Sequence, residues 1–300
     1  MNRAVAYVGR FAPSPTGPLH FGSLVAAVAS WLDARAAGGT WLLRMEDLDT
    51  PRTVAGAADA IQGALEAFGL AWDGEVTWQS RRTALYEAAL EKLRRQGCVY
   101  GCRCTRREIA DSALVGVEGA VYPGTCRDRR IATGPGVAER VLTNDAEIAF
   151  DDRVQGRITQ SVAAEVGDFV LRRRDGLFAY QLAVAVDDAG QGITDVVRGA
   201  DLLLSTPRQI VLQRHLGLAS PRYLHVPVAA RNGEKLSKQT LAPAVDALRP
   251  LPWLRATLRF LGQPPGEGGS AAEMLAIAAS RWDPDRIPGV PWIEAPEPMP

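Results

Sequence analysis

Lysine is nearly missing from this 300-residue chain: Lys92, Lys235 and Lys238 stand among 34 basic residues, and all the others are arginine. Two of the three fall within one four-residue window. That placement points to a site needing a compact, mobile ammonium rather than a planar guanidinium. Cysteine is almost as sparse, and Cys98, Cys102, Cys104 and Cys126 all lie within 29 consecutive positions. A disulfide framework would be odd in a chain of this length without a secretion signal, so a metal site is the stronger reading. Long apolar runs are lacking too. The longest, Leu24 to Leu32, is broken by Ser30, and no signal-like run follows Arg3. Neither a bilayer span nor a leader is expected, which places the chain in the cytoplasm with no membrane partner. Net charge is also absent, with 34 acidic residues against 34 basic ones. A nucleic-acid partner must therefore be judged from where charge sits, not from its total.

What is present is ordinary globular material, 47% hydrophobic and 23% charged, enough for one large domain or a few small ones. Residues 4–9 read as a short buried strand running into the turn-rich loop Pro13-Ser14-Pro15-Thr16-Gly17-Pro18. A helix is expected over residues 19–37, stopped by Gly38-Gly39, then a strand over 40–45 and helices over 54–68 and 83–93. Strand and helix in alternation predict a parallel sheet with crossover helices. From Gly97 the pattern changes to cysteine- and arginine-rich sequence, then to short alternating segments at 148–150, 156–162 and 169–171. Arg174-Asp175-Gly176 suits a hairpin turn. The apolar segment 193–197 and a helix over 207–216 restore the first pattern, and helices over 245–260 and 271–281 precede a proline-rich tail from Pro284. The expected domains are a nucleotide-binding unit from 1–96 and 181–240, an inserted α+β unit over 97–180, and a short helical region over 241–300.

Two segments carry the chemistry. The first, Arg10 to Ser23, joins a strand to a helix, so helix-start N–H groups face the loop and can receive phosphate oxygens. His20 at that helix start can donate to charge growing on a phosphate, and Gly22 permits close approach of a ligand. The second, Arg231-Asn232-Gly233-Glu234-Lys235-Leu236-Ser237-Lys238-Gln239, offers two ammonium groups three residues apart on a glycine-containing loop. Both can reach a triphosphate. Taken alone, the first is also a plain strand-to-helix connection and the second a solvated turn.

Together they resemble the paired signatures of the class I aminoacyl-tRNA synthetases. His20-Phe21-Gly22-Ser23 keeps the first His and the Gly of HIGH, with Ser23 in place of the second His. Lys235-Leu236-Ser237-Lys238-Gln239 is similar to KMSKS. The stretch Arg10-Phe11-Ala12-Pro13-Ser14-Pro15-Thr16-Gly17 looks like that of the glutamyl branch. The resemblance implies a split Rossmann-like α/β fold that adenylates L-glutamate with ATP and magnesium. It implies that Arg10, Phe11, Ala12, Pro13, Ser14, Glu46, Tyr180 and Arg198 surround the glutamate. His20, Gly22, Lys235 and Lys238 would serve ATP, with His20 and Lys238 catalytic. Asp187-Asp188 reads as an ordinary helix end.

Cys102-x-Cys104, 17 residues, then Tyr122-x3-Cys126 offers three thiolates and a phenol, a set suited to tetrahedral zinc. From the residues alone, Cys98 competes with Tyr122 for the fourth place. The spacing resembles that of the glutamyl-queuosine tRNA(Asp) synthetases, a family whose site is Cys, Cys, Tyr and Cys, and this implies one structural zinc on Cys102, Cys104, Tyr122 and Cys126. About 60 residues follow Lys238, so no anticodon-reading domain is expected. By this resemblance the glutamate goes to queuosine in the anticodon loop of tRNA(Asp). Basic stretches at 103–107, 127–130 and 172–174 are open to two readings, RNA contact or a solvated face.

Overall fold

The computed structural model describes residues 6–112, 115–116, 119–144, 147–231, 234–235, 243–264 and 266–296. β1 (Val8–Phe11) feeds the proline-rich loop, α1 (Phe21–Ala36) returns over the sheet, and β2 (Thr40–Met45) lies parallel to β1 with Val8 opposite Thr40. The helix starts two residues later than the apolar pattern suggests because His20 adopts extended backbone and caps it. It stops where Gly38 takes a left-handed φ of 62°. α2 (Ala57–Ala67) is shorter than expected because Gly56 at its start is left-handed. β3 (Thr77–Trp78) then pairs parallel with the end of β2, and α3 (Thr83–Arg95) follows.

The arginine-rich region holds more regular structure than its composition suggested. β4 (Val99–Cys102), α4 (Arg106–Ser112) and the two-residue strands β5 (Val115–Gly116) and β6 (Gly119–Ala120) precede β7 (Ala138–Val141). β8 (Glu147–Asp152) and β9 (Gly156–Ser161) form a hairpin in which all six pairs are in register. The single turn α5 (Val162–Glu165) leads to β10 (Val170–Arg172). β10, β7 and β4 make a small antiparallel sheet. The turn at 174–176 is present, with Arg173 N donating to Leu177 O at 2.8 Å.

The chain then returns to the side of the first sheet. α6 (Tyr180–Gly190), β11 (Asp195–Gly199), α7 (Thr206–Leu216) and β12 (Arg222–Val226) form a second strand–helix alternation, with β11 and β12 parallel. Thr194 N donates to Val8 O at 2.9 Å, seating β11 beside β1. On its other side β12 meets β8, Tyr223 opposite Asp152, so the β8–β9 hairpin joins the sheet of β11 and β12. β12 was invisible to alternation: all but its first residue are buried, His225 included.

β13 (Val228–Arg231) pairs with β14 (Glu234–Lys235) and with β15 (Trp292–Glu294), a strand inside the proline-rich tail. α8 (Pro250–Phe260) begins later than the apolar pattern because Pro250 and Pro252 suit only a helix start. α8 and α9 (Ala271–Ser280) pack on α1, with Phe21 edge-on to Phe260 at 5.5 Å. Asp33 of α1 ties distant segments together, accepting from Tyr7 Oη at 2.6 Å, Arg153 at 2.6 and 2.9 Å, and Trp282 Nε1 at 2.9 Å. Burial opposes its ionisation, but the Arg153 guanidinium outweighs this and holds its carboxyl below the usual range.

Among the described residues, no helix is long and apolar enough to cross a membrane.

Candidate active site

A pocket of about 540 Å³ opens where β1, β2 and β11 end and α1 begins. Its wall on one side is the proline-rich loop. Glu46 N donates to Pro13 O at 3.0 Å and Val54 N to Pro15 O at 2.9 Å, so the loop is stitched to the segment after β2 by carbonyls of residues that have no N–H of their own. Gly17, at φ 140°, makes the turn that brings the chain back to the helix. The first N–H groups of α1 and its positive dipole end face this space.

Arg10, Phe11, Ala12, Pro13, Ser14, Glu46, Tyr180 and Arg198, chosen from sequence for one ligand, all line this single pocket, as do His20 and Gly22. The lysines are a different matter. Lys235 is described only through its backbone in β14, opposite Ala230, and Lys238 lies outside the described residues. Both described flanks of that segment adjoin the pocket all the same. Val228 and Ala229 line it, and Val245 N donates to Leu19 O at 3.0 Å beside a bridge between His20 and Ala244.

Beneath the pocket floor lies a charge cluster that sequence reasoning missed. Asp187 and Asp188, expected to be an ordinary helix end, are buried in the last turns of α6. Asp188 meets Arg10 Nε at 3.2 Å and Arg44 Nη1 at 2.8 Å. Arg44 is wholly buried and also reaches Glu46 at 3.4 Å and Gln191 Oε1 at 2.7 Å. Asp187 is held by Arg82 Nε at 2.6 Å, Gln79 Nε2 at 2.7 Å and Tyr86 Oη at 2.8 Å. The available signal was an arginine inside an apolar strand, TWLLRM, and two aspartates inside an apolar helix. Such charges need buried partners.

These contacts set the ionisation of the pocket. Burial disfavours charge on Asp188, but the Arg10 and Arg44 guanidinium groups outweigh it and hold its carboxyl below the usual range. Glu46 differs: burial wins over Arg44 and Arg10, and its carboxyl is pushed up to about 7. His225, also missed, is fully buried in β12 between Asp152 and Arg198, and burial brings its imidazole down to about 4. His20 Nδ1 accepts from Ser23 N at 3.4 Å, and Ser23 Oγ lies 3.0 Å from His20 Nε2.

A second cluster sits at the end of β4. The sulfur atoms of Cys102, Cys104 and Cys126 all lie within 4.8 Å of one another, a group that could hold a metal ion. Cys104 and Cys126 are 3.5 Å apart, and Tyr122 Oη is 3.4 Å from Cys102 Sγ and 3.9 Å from Cys104 Sγ. Four ligands around one zinc at ordinary bond lengths would stand about 3.5 to 3.8 Å apart, so the spacing fits. Cys98 is elsewhere, its sulfur 3.6 Å from His215 Nδ1. Burial raises the Cys104 thiol to about 11. For Cys126 burial is outweighed by donors, the Arg103 backbone N–H first, and the thiol falls to about 7. Gly167, at φ 76°, lets the chain pass against Tyr122, where a Cβ would sit 2.4 Å from the Tyr122 carbonyl. Part of the basic sequence is paired internally: Arg127 with Asp168 at 2.7 Å, Arg172 with Glu87 at 3.1 Å and Arg173 with Asp49 at 3.4 Å.

Comparison with known proteins shows the family. Residues 7–261 match the family of class I tRNA synthetases (E and Q), catalytic domain. A protein of Dechloromonas aromatica named glutamyl-Q tRNA(Asp) synthetase is 58% identical over 288 residues, covering 94% of this chain and 96% of that one. One of the same name from Thiobacillus denitrificans is 54% identical and covers 99% of this chain and 100% of its own. Among solved structures, a glutamate tRNA ligase from Elizabethkingia meningosepticum, described as in complex with its amino acid, superposes with a TM-score of 0.78 at 23% identity. It covers 95% of this chain, which in turn spans 66% of that protein.

The buried cluster makes its own prediction. Asp188→Asn leaves Arg10 and Arg44 without their shared carboxylate, and urea unfolding should show a loss of about 3 kcal/mol. An unchanged midpoint would mean that Asp187 and Glu46 suffice to balance both arginines.

Proposed function

Since this chain belongs to the class I tRNA synthetases of the E and Q type, and within them to the glutamyl-Q tRNA(Asp) synthetases, we propose that it activates L-glutamate with ATP and transfers it to queuosine in tRNA(Asp). The observation that carries the reading is the convergence of Arg10, Glu46, Tyr180 and Arg198 on one pocket at the N-terminus of α1. Glutamate has two carboxylates and one ammonium, and two arginines with one glutamate side chain complement it. In this reading Arg10 takes the side-chain carboxylate and Glu46 the ammonium. Tyr180 and Arg198 complete the amino-acid site, with Phe11, Ala12, Pro13 and Ser14 as its loop wall.

ATP, with magnesium, lies along the start of α1, where His20 and Gly22 face its phosphates and Lys235 and Lys238 supply ammonium groups from the second segment. The α-carboxylate of glutamate attacks the α-phosphorus, the bond to the β-phosphate oxygen breaks, and pyrophosphate leaves. A hydroxyl of the queuosine cyclopentenediol then attacks the acyl carbon and AMP leaves. Neither step uses a side-chain nucleophile, so catalysis rests on positioning and on charge stabilisation. Residues 1–96 with 181–240 would form the catalytic unit and 97–180 the insertion, its hairpin β8–β9 reaching into the catalytic sheet. Cys102, Cys104, Tyr122 and Cys126 would hold one zinc, which pins the loops after β4 and takes no part in the reaction.

The deciding experiment offers the purified protein labelled glutamate, ATP, and tRNA(Asp) with or without queuosine. Label should enter only the queuosine-containing tRNA(Asp), and Lys238→Ala should abolish glutamate-dependent pyrophosphate exchange. Charging of tRNA(Glu) instead would overturn the acceptor assignment.

Glu46 adds a pH dependence. In the free enzyme its carboxyl takes up a proton near pH 7, and only the ionised form pairs with an ammonium. The KM for glutamate in pyrophosphate exchange should therefore fall roughly tenfold as pH rises from 6 to 8. Glu46→Gln should raise that KM and flatten the profile; a flat wild-type profile would count against the ammonium role.

Metal analysis tests the cysteine cluster. About one zinc per chain is expected. Cys104→Ser should lower both the zinc content and the melting temperature, while pyrophosphate exchange per folded molecule persists. Zinc-free protein of unchanged stability would remove the structural role.

A further inference from the structure

The geometry points to His225 as the positioning residue for Arg198, with Asp152 selecting the tautomer that makes this possible. The inference rests on the reading that Arg198 contacts glutamate, and it concerns two buried residues that no motif singles out. Arg198 is 5% exposed, and most of its N–H groups are already committed. Nη2 donates to Thr206 Oγ1 at 2.9 Å and Gln209 Oε1 at 3.0 Å, Nη1 to Tyr180 Oη at 3.4 Å, and Nε to His225 Nε2 at 3.0 Å. What remains for the pocket is a hydrogen on Nη1, so the aim of the guanidinium matters more than its charge.

The Nε contact works only if His225 Nε2 carries a lone pair. An arginine N–H can only donate. Thr206 Oγ1, 3.3 Å from the same nitrogen, can donate as well. The proton of the neutral ring must then sit on Nδ1, where Asp152 Oδ2 accepts it at 2.6 Å. The other oxygen of Asp152 is fixed independently, accepting from the backbone N–H groups of Val154 at 3.0 Å, Gln155 at 2.9 Å and His225 at 3.1 Å. The carboxylate cannot turn without losing all three. The relay crosses the sheet one strand at a time. Asp152 is on β8, His225 on β12, and Arg198 on β11 directly opposite His225 in the parallel register.

Asp152→Asn is the discriminating variant because it keeps the shape and reverses one hydrogen bond. The three backbone donors hold the amide oxygen where Oδ1 was, which leaves the amide nitrogen facing His225 Nδ1. The imidazole proton is then driven to Nε2, N–H against the N–H of Arg198. Three measurements read this out on the full chain. Nitrogen-15 spectra of the histidines should show His225 protonated on Nδ1 in the wild type and on Nε2 in Asp152→Asn. In pyrophosphate exchange the variant should raise the KM for glutamate roughly tenfold to a hundredfold, leaving the KM for ATP unchanged. His225→Gln, which keeps an acceptor near the Nε2 position, should bind glutamate better than His225→Leu at equal melting temperature.

A wild-type His225 protonated on Nε2, an Asp152→Asn protein that keeps the Nδ1 proton, or one that switches tautomer with no change in glutamate KM would each overturn the proposal. Arg198→Lys separates the two layers. If that substitution raises the glutamate KM while Asp152→Asn does not, the relay is wrong and the glutamate contact stands. If Arg198→Lys leaves the glutamate KM unchanged, the contact itself is wrong and the relay falls with it.

Discussion

Two arginines and two carboxylates buried at the floor of one pocket are the constraint around which the rest of this molecule is arranged. Arg10 and Arg44 are almost or wholly excluded from water, and each depends on Asp188. Leaving one such partner out is far more costly than never burying the group at all. The cluster therefore requires β1, β2 and α6 to meet, although Arg10 and Asp188 are 178 positions apart. Asp187 lies 3.9 Å from Arg44 Nε but is itself paired with Arg82 at 2.6 Å. With the Glu46 carboxyl pushed up to about 7, the group around Asp188 carries surplus positive charge at neutral pH. That surplus faces a pocket opening at the positive end of α1. In the proposed reading an anion with an ammonium of its own suits the site: its carboxylates meet the surplus charge, and its ammonium draws the proton off Glu46.

The stretch 97–180 contributes to that arrangement directly. Its hairpin extends the parallel sheet, and through Asp152 it reaches Arg198 by way of His225. A long arginine side chain is otherwise expensive to hold in one rotamer. Here backbone register does the holding: residues 198 and 225 are cross-strand neighbours, and so are 223 and 152. Small shifts between strands would therefore be felt at the guanidinium. Asp33 acts against such shifts from the other face, joining Tyr7, Arg153 and Trp282 on a single carboxylate.

How much of this the amino-acid sequence displayed depends on whether the relevant atoms are close along the chain. Arg10 to Ser23 is contiguous, so its strand, loop and helix start could be read together, and its residues do share a pocket. Cys102, Cys104, Tyr122 and Cys126 span only 25 positions, and their spacing alone points to one cluster. Yet composition alone could not rank Cys98 against Tyr122, because only folding sends Cys98 toward His215 and away from the other three thiols. Arg44, Asp188, Asp152 and His225 were illegible for the same reason. Each looks like a stray polar residue in an apolar segment until the sheet order is known. β12 was missed because a strand buried on both faces has no alternation to detect. The helix boundaries that slipped did so at His20, Gly56 and Pro250, where cap geometry rather than hydrophobic period decides the first residue.

Ser23 stands where the resembling signature has a second histidine, and its geometry turns that departure into a consequence for His20. The ring of His20 caps its own helix, accepting at Nδ1 from Ser23 N. A neutral imidazole that accepts at Nδ1 holds its proton on Nε2. That proton then points at Ser23 Oγ, 3.0 Å away. The serine oxygen is occupied as an acceptor, so its own O–H must be directed elsewhere, and both Ser23 and His20 line the pocket. A second imidazole at position 23 would have brought its own tautomer and its own titration beside the first. A hydroxyl brings neither: it accepts the hydrogen bond from His20 Nε2 and has one O–H of its own to donate. The exchange of histidine for serine thus leaves His20 hydrogen-bonded to a hydroxyl at the helix start, with no second imidazole beside it.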